Sequence, residues 1–203
     1  NYNVYYDANG TLYLNNATIS GVSTTNYGAG IWFKGGDLVI YLEGNNKINA
    51  SSNNGYSAGI FNSYDFQHGL TLTGGGSLDI GSSDANSSAY AIFIAKDITL
   101  DNVNVTASTG KADNTRNEVI RSEAGSIYIR NSTVYAESPD NDTVPYSRGL
   151  MAGYGLDGIS ITIENSTVTA VAGNARSDST AIEANDVIIK NSFVIADGKH
   201  YSI

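Results

Sequence analysis

A short pattern returns along this chain at intervals close to 30 residues, and nothing else in the sequence constrains the fold as tightly. An apolar residue is followed two positions on by Asn or Gly, then by a second apolar residue. It occurs as Leu14-Asn15-Asn16 to Ile19, Leu42-Glu43-Gly44 to Ile48, Leu72-Thr73-Gly74 to Leu78 and Leu100-Asp101-Asn102 to Val105. It continues as Ile129-Arg130-Asn131 to Val134, Ile163-Glu164-Asn165 to Val168 and Ile189-Lys190-Asn191 to Val194. The lead residues lie 28, 30, 28, 29, 34 and 26 apart. A second column, Ile31, Ile60, Ile92, Ile120, Leu150 and Ile182, keeps the same beat at 29, 32, 28, 30 and 32. Units of this length cannot bury an apolar face alone, so they must stack on one another.

Each repeat holds three short apolar segments, for example Ile92–Ile94, Ile98–Leu100 and Val103–Val105. Ile127-Tyr128-Ile129 and Ile161-Thr162-Ile163 alternate with the period of two that marks strands. No window sustains a 3.6-residue period, and 22 glycines with abundant Asn, Ser and Thr disfavour helix. The reading is an all-β fold: a single-stranded right-handed parallel β-helix (solenoid) with three short strands per coil and about seven coils. Each strand pairs with its equivalent one coil away, a rise of about 4.8 Å.

The Asn/Gly column supplies the chemical check. Asn16, Asn102, Asn131, Asn165 and Asn191, with Gly44 and Gly74, are the residue types that most readily take a left-handed backbone, as a tight bend between second and third strands requires. Stacked Asn side chains are expected to hydrogen-bond along the axis as a ladder at this second turn. Tripeptides such as Asn131-Ser132-Thr133 and Asn165-Ser166-Thr167 are read as ladder plus strand and not as glycosylation sites.

In the Asn column, the three-strand coil and the long third loop, the chain resembles the pectate-lyase-like right-handed β-helix superfamily, and within it bacterial carbohydrate-binding β-helix proteins. The resemblance spans essentially residues 1–203, read as a single β-helix domain excised from a longer secreted or surface protein with additional domains. It implies architecture far more than activity, because such folds host lyases, hydrolases and adhesins alike.

Loops of variable length follow the third strand at 20–28, 50–57, 81–88, 107–117, 136–148 and 171–179, and in a solenoid such insertions fall on one side. Ile203 begins another first strand, which points to a continuing chain or a covering partner. The net charge of −9 lacks the basic stripe that nucleic-acid binding requires, and no polybasic cluster offers itself to anionic lipid. No apolar run approaches a membrane span, so no membrane insertion is expected. The absence of cysteine excludes disulfides and thiolate metal sites.

If the aliphatic column from Ile31 to Ile182 faces inward, its successors Trp32, Phe61, Phe93, Arg121, Met151 and Glu183 face outward. Three aromatics on adjacent coils would form a platform for the apolar face of a sugar, with Lys34 and Arg121 holding hydroxyls or carboxylates. The competing reading makes these aromatics a secondary cluster under the flanking loops. Asp140 and Asp142 offer oxygen ligands on one short loop, and calcium is the cation such a set would take, although no twelve-residue calcium loop is present. Acids in turns are ordinary in any case.

Enzyme readings find less support. A calcium-dependent polysaccharide lyase would need Arg121 or Lys34 as proton acceptor. Glu123 and Glu183 are acids on the same sheet but out of column for a hydrolase pair. Gln67-His68-Gly69 only faintly resembles a polygalacturonase motif whose companions are missing. The expectation is a non-catalytic polysaccharide-binding or adhesive domain, extracellular or on a bacterial cell surface, with a polysaccharide or host or plant glycan as partner. A calcium-dependent pectate-type lyase and a structural spacer are the alternatives.

Overall fold

The computed structural model describes residues 3–24, 26–63, 65, 67–153 and 155–203. Among them the chain forms 21 strands, numbered in chain order, in three sheets, with no helix. Sheet I runs β1 (Val4–Tyr6), β2 (Thr11–Asn15), β5 (Leu38–Glu43), β8 (Leu70–Thr73), β11 (Ile98–Asp101), β14 (Ile127–Arg130), β17 (Ser160–Glu164) and β20 (Asp186–Lys190). Sheet II stacks β3 (Thr18–Ser23), β6 (Asn45–Ser52), β9 (Ser77–Ala85), β12 (Asn104–Thr109), β15 (Thr133–Glu137), β18 (Thr167–Ala172) and β21 (Phe193–Gly198). Sheet III contains β4 (Tyr27–Trp32), β7 (Tyr56–Phe61), β10 (Ser88–Ile94), β13 (Arg116–Ser122), β16 (Tyr146–Ala152) and β19 (Asp178–Glu183).

All pairings are parallel except that of β1, which covers the edge of β2 antiparallel. The molecule is thus a parallel β-solenoid of six complete coils, β2–β3–β4 through β17–β18–β19, with β20 and β21 opening another. The seventh repeat seen in the sequence is this incomplete coil.

Columns of like residues fill the interior. Leu12, Ile40, Leu72, Leu100, Ile129, Ile163 and Ile189 stack in sheet I. Ile31, Ile60, Ile92, Ile120, Leu150 and Ile182 stack in sheet III. Beside that column the ladder skips Gly30, Gly59, Ala91, Val119, Gly149 and Ala181, a file of mostly small residues facing sheet II. Space explains the choice: a Cβ on Gly30 would lie 2.5 Å from Ile48 Cγ2, and one on Gly59 2.5 Å from Ile80 Cγ1. Large residues in sheet II are accommodated by the missing side chains opposite.

The bends refine the expected Asn column. Asn16, Asn102, Asn131, Asn165 and Asn191 all have positive φ, from 47° to 55°, as do Gly44 and Gly74. They do not form one file, however. Strand register aligns Ile40 with Leu72 and Leu72 with Leu100, which sets the bends at Asn16 and Gly44 two residues beyond those at Asn102, Asn131, Asn165 and Asn191. The run Gly74-Gly75-Gly76, two of them at positive φ, bridges the offset in the third coil.

The expected ladder chemistry also moves by one position. Among the described residues no hydrogen bond joins the side chains of Asn102, Asn131, Asn165 and Asn191; the Asn131 amide donates instead to Asp101 at 3.0 Å. The next residue carries the ladder. Ser132 Oγ accepts from Val103 N at 3.2 Å, Ser166 Oγ from Ser132 N at 3.1 Å and Ser192 Oγ from Ser166 N at 3.1 Å. Each of these hydroxyls donates back to the carbonyl two residues earlier, at 2.6–2.7 Å. In the second coil Asn46 does the same work, accepting from Ala17 N at 2.9 Å. The asparagines supply the backbone conformation, and the serines join the coils.

Two substitutions separate these roles. Ser166→Ala leaves the buried Ser132 N–H unpaired and is expected to cost about 1–3 kcal/mol. Asn165→Gly keeps the left-handed bend and is expected to cost at most about 1 kcal/mol. Urea unfolding midpoints measure both; a larger loss at Asn165 would restore the asparagine ladder.

Candidate functional site

The outer face of sheet III is where unusual chemistry collects. Because the ladder skips one residue per strand, two inward residues sit between outward ones, as at Tyr90, Ala91, Ile92 and Phe93. Three outward files result. Trp32, Phe61, Phe93, Arg121, Met151 and Glu183 form one, as the alternation predicts. Ala29, Ala58, Tyr90, Glu118, Arg148 and Thr180 form another, and Tyr27 and Tyr56 head a third that passes Ser88 and Arg116 to Tyr146 and Asp178.

Over the first three coils these files build an aromatic cluster. Tyr27 and Tyr56 stack with ring centroids 5.3 Å apart and planes 10° from parallel. Trp32 meets Phe61 edge-on at 5.7 Å, and Phe61 stacks on Phe93 at 5.4 Å. Tyr90 closes on Phe93 at 4.9 Å. The Lys34 ammonium lies 4.1 Å above the Trp32 ring. These rings, with Lys34, Ser63, Asp65, Ser88, Thr115 and Arg116, line a cleft of about 490 Å³. Its volume falls within the range of roughly 300–1,000 Å³ that small-ligand sites occupy.

From the fourth coil onward the same face is ionic. Glu118, fully buried, accepts a close hydrogen bond from Arg121 and one of 3.0 Å from Arg148. Arg121 reaches Glu123 through Nε at 2.6 Å, and Arg148 also holds Asp178 at 3.0 Å and, more closely, Glu183. Arg116 stands 4.0 Å from Glu118. Burial is the largest single effect and would push the two guanidiniums toward neutrality, but Glu118 together with Glu123 and Tyr90 around Arg121, and with Glu183 and Asp178 around Arg148, raises both above their ordinary values. Both therefore stay charged, each held by several carboxylate partners.

The residues singled out by sequence divide accordingly. Trp32, Phe61, Phe93 and Lys34 come together in the cleft. Phe61 and Phe93 are almost completely buried, so they form part of the covered cluster that the competing reading foresees, while Trp32 stays 43% exposed. Arg121 is 2% exposed beneath its carboxylates, its guanidinium 5.8 Å from the Phe93 ring, and is unreachable from the cleft. Asp140 Oδ1 accepts from Asn174 N at 2.7 Å, and Asp37, Asp84 and Asp97 tie their coils to the next in the same way. Asp142 is exposed beside it, and among the described residues no group of three or more His, Asp or Glu is arranged to hold a metal ion. His68 lies 3.9 Å from Asp37 on the β7–β8 connection.

Sequence reading missed Tyr27, Tyr56 and Tyr90 and the cation Arg116. The 29-residue spacing of Tyr27 and Tyr56 was the available signal, but strict alternation hid the second outward file of each strand. Compared with protein-family models, curated proteins and solved structures, the chain matches none.

Two measurements probe this face. Glu118→Gln removes the charge shared by two buried arginines and is expected to destabilise by about 3–5 kcal/mol in urea unfolding. Burial holds the Tyr90 phenol protonated well above its ordinary value of 10.0. Below pH 10 both folded and unfolded chains carry it neutral, whereas at higher pH the unfolded chain ionises first and stability falls. Tyr90→Phe is expected to flatten that alkaline limb in melting curves taken between pH 8 and 11.

Proposed function

We propose that this chain is a non-catalytic glycan-binding or adhesive domain of an extracellular bacterial protein, taking a polysaccharide on the outer face of sheet III. One observation carries the reading: a cleft walled, among the described residues, by six aromatic side chains, with Tyr27 and Trp32 exposed at its mouth and hydroxyl and cationic groups beside them. Aromatic faces accept the C–H side of a sugar ring, and a few convergent polar groups orient it. Exposed large aromatics on a rigid sheet are the kind of apolar surface that marks a partner site. Lys34 and Arg116 at the rim are suited to sugar oxygens, with Arg116 replacing Arg121 in that role.

Membership of the pectate-lyase-like superfamily is part of this proposal. It is supported by three parallel sheets and left-handed bends at Asn. The lyase alternative loses one of its two proton-acceptor candidates, because Arg121 is sequestered with Glu118 and Glu123 and held protonated, which leaves only Lys34 for that role. A cell-surface or secreted location is part of the same proposal.

Affinity electrophoresis through gels containing cellulose derivatives, xylan, mannan or pectin tests the reading. Retardation by at least one polysaccharide is expected for the wild type, with Trp32→Ala and Tyr27→Ala each weakening it about tenfold, or 1.4 kcal/mol. Phe61→Ala is expected to weaken it too, together with a loss of stability of about 3–5 kcal/mol. A wild type retarded by none of them, or variants retarded as strongly as the wild type, would overturn the proposal.

A further inference from the structure

Taking the glycan-binding reading as given, we infer that the cleft receives the end of a sugar chain, one or a few terminal units, and does not lie along the interior of a polymer. Three observations lead there.

The first is a gradient of exposure along the solenoid axis. At the first coil Tyr27 is 45% and Trp32 43% exposed, whereas Phe61 one coil on is at 6%, and Tyr90 and Phe93 at the third are at 4% and 2%. Beyond them Glu118, Arg121, Arg148 and Met151 are buried as well. A polymer following the axis needs open ring surface on coil after coil, at intervals of about 4.8 Å. Here that surface narrows at the second coil, where Phe61 is covered and Tyr56 is half-buried, and it closes at the third.

The second is the position of the flanking groups. Ser63 and Asp65, just past the C-terminal end of β7, border the cleft on one side of the sheet. Thr115 and Arg116, at the N-terminal end of β13, border it two coils further along the axis. The cleft is bounded both across the strands and along the stack.

The third is the chemistry of the inner end. Beside the fully buried Ser88, Thr115 and Arg116 bring a hydroxyl and a guanidinium, whose side chain is 27% exposed, to the part most remote from Trp32. A terminal sugar carries a free hydroxyl where an internal one carries its next linkage. Once a bound sugar covers them, such donors and acceptors discriminate between these groups, because a partner that lacks the hydroxyl leaves them unpaired. The chain leads out over Tyr27 and Trp32, the most exposed of the described rings that line the cleft.

Trp32 is the only tryptophan, so its fluorescence reports directly on the mouth of the cleft. For each polysaccharide retained by the wild type, its trisaccharide, its hexasaccharide and the polymer are titrated against the full chain. End recognition predicts dissociation constants per mole of chain ends within about threefold of one another across the series. It also predicts a loss of about tenfold for Arg116→Gln at an unchanged melting temperature. Affinity that rises in proportion to chain length, with Arg116→Gln binding like the wild type, would overturn the inference while leaving glycan binding intact. A wild type that binds no polysaccharide in the panel removes the underlying reading instead, so the two failures are distinguishable.

Discussion

Parallel pairing of each strand with its equivalent one coil away is the constraint on which the rest of this molecule depends. Main-chain donors and acceptors of each inner coil are met by the coils on either side. A residue therefore cannot move in one coil without a matching adjustment in its neighbours. Linear spacing becomes vertical alignment, and any residue type repeated at that spacing becomes a wall, inside or out. The interior Leu and Ile files and the exterior aromatic file follow from the same rule.

The corners show how the rule is enforced. A left-handed residue is needed to turn from sheet I to sheet II, and Asn or Gly supplies it at modest cost. The turn leaves a buried backbone N–H facing the next coil, which a serine hydroxyl, or the Asn46 amide in the second coil, then meets. Where the bend shifts by two residues, between Gly44 and Asn102, three consecutive glycines take up the difference. A Cβ on Gly74 would come 2.6 Å from Leu42 O, so the adjustment requires the bare backbone.

The outer face of sheet III carries two chemistries on one regular scaffold. Its first three coils stack aromatic rings around an open cleft, and the later ones hold buried arginines and glutamates in mutual ion pairs. The junction is the Phe93–Arg121 contact, where the ring file meets a guanidinium. A buried charge network of this kind contributes little net stability compared with apolar packing, while removing any one partner leaves a buried charge uncompensated.

The 30-residue beat determined the solenoid, its three strands per coil and the identity of the inward columns, because period and apolarity are properties of the chain itself. It also determined that Trp32, Phe61 and Phe93 share one file, since alternation fixes which side of a strand a residue takes. Tertiary structure decided what that file means. Exposure depends on which surfaces come to lie over a residue, and so Trp32 is open, Phe93 is covered and Arg121 is locked to Glu118 although all three occupy equivalent positions. The tyrosines and Arg116 likewise emerged only when register brought them together, because a skipped residue in each strand of sheet III shifts the facing of what precedes it.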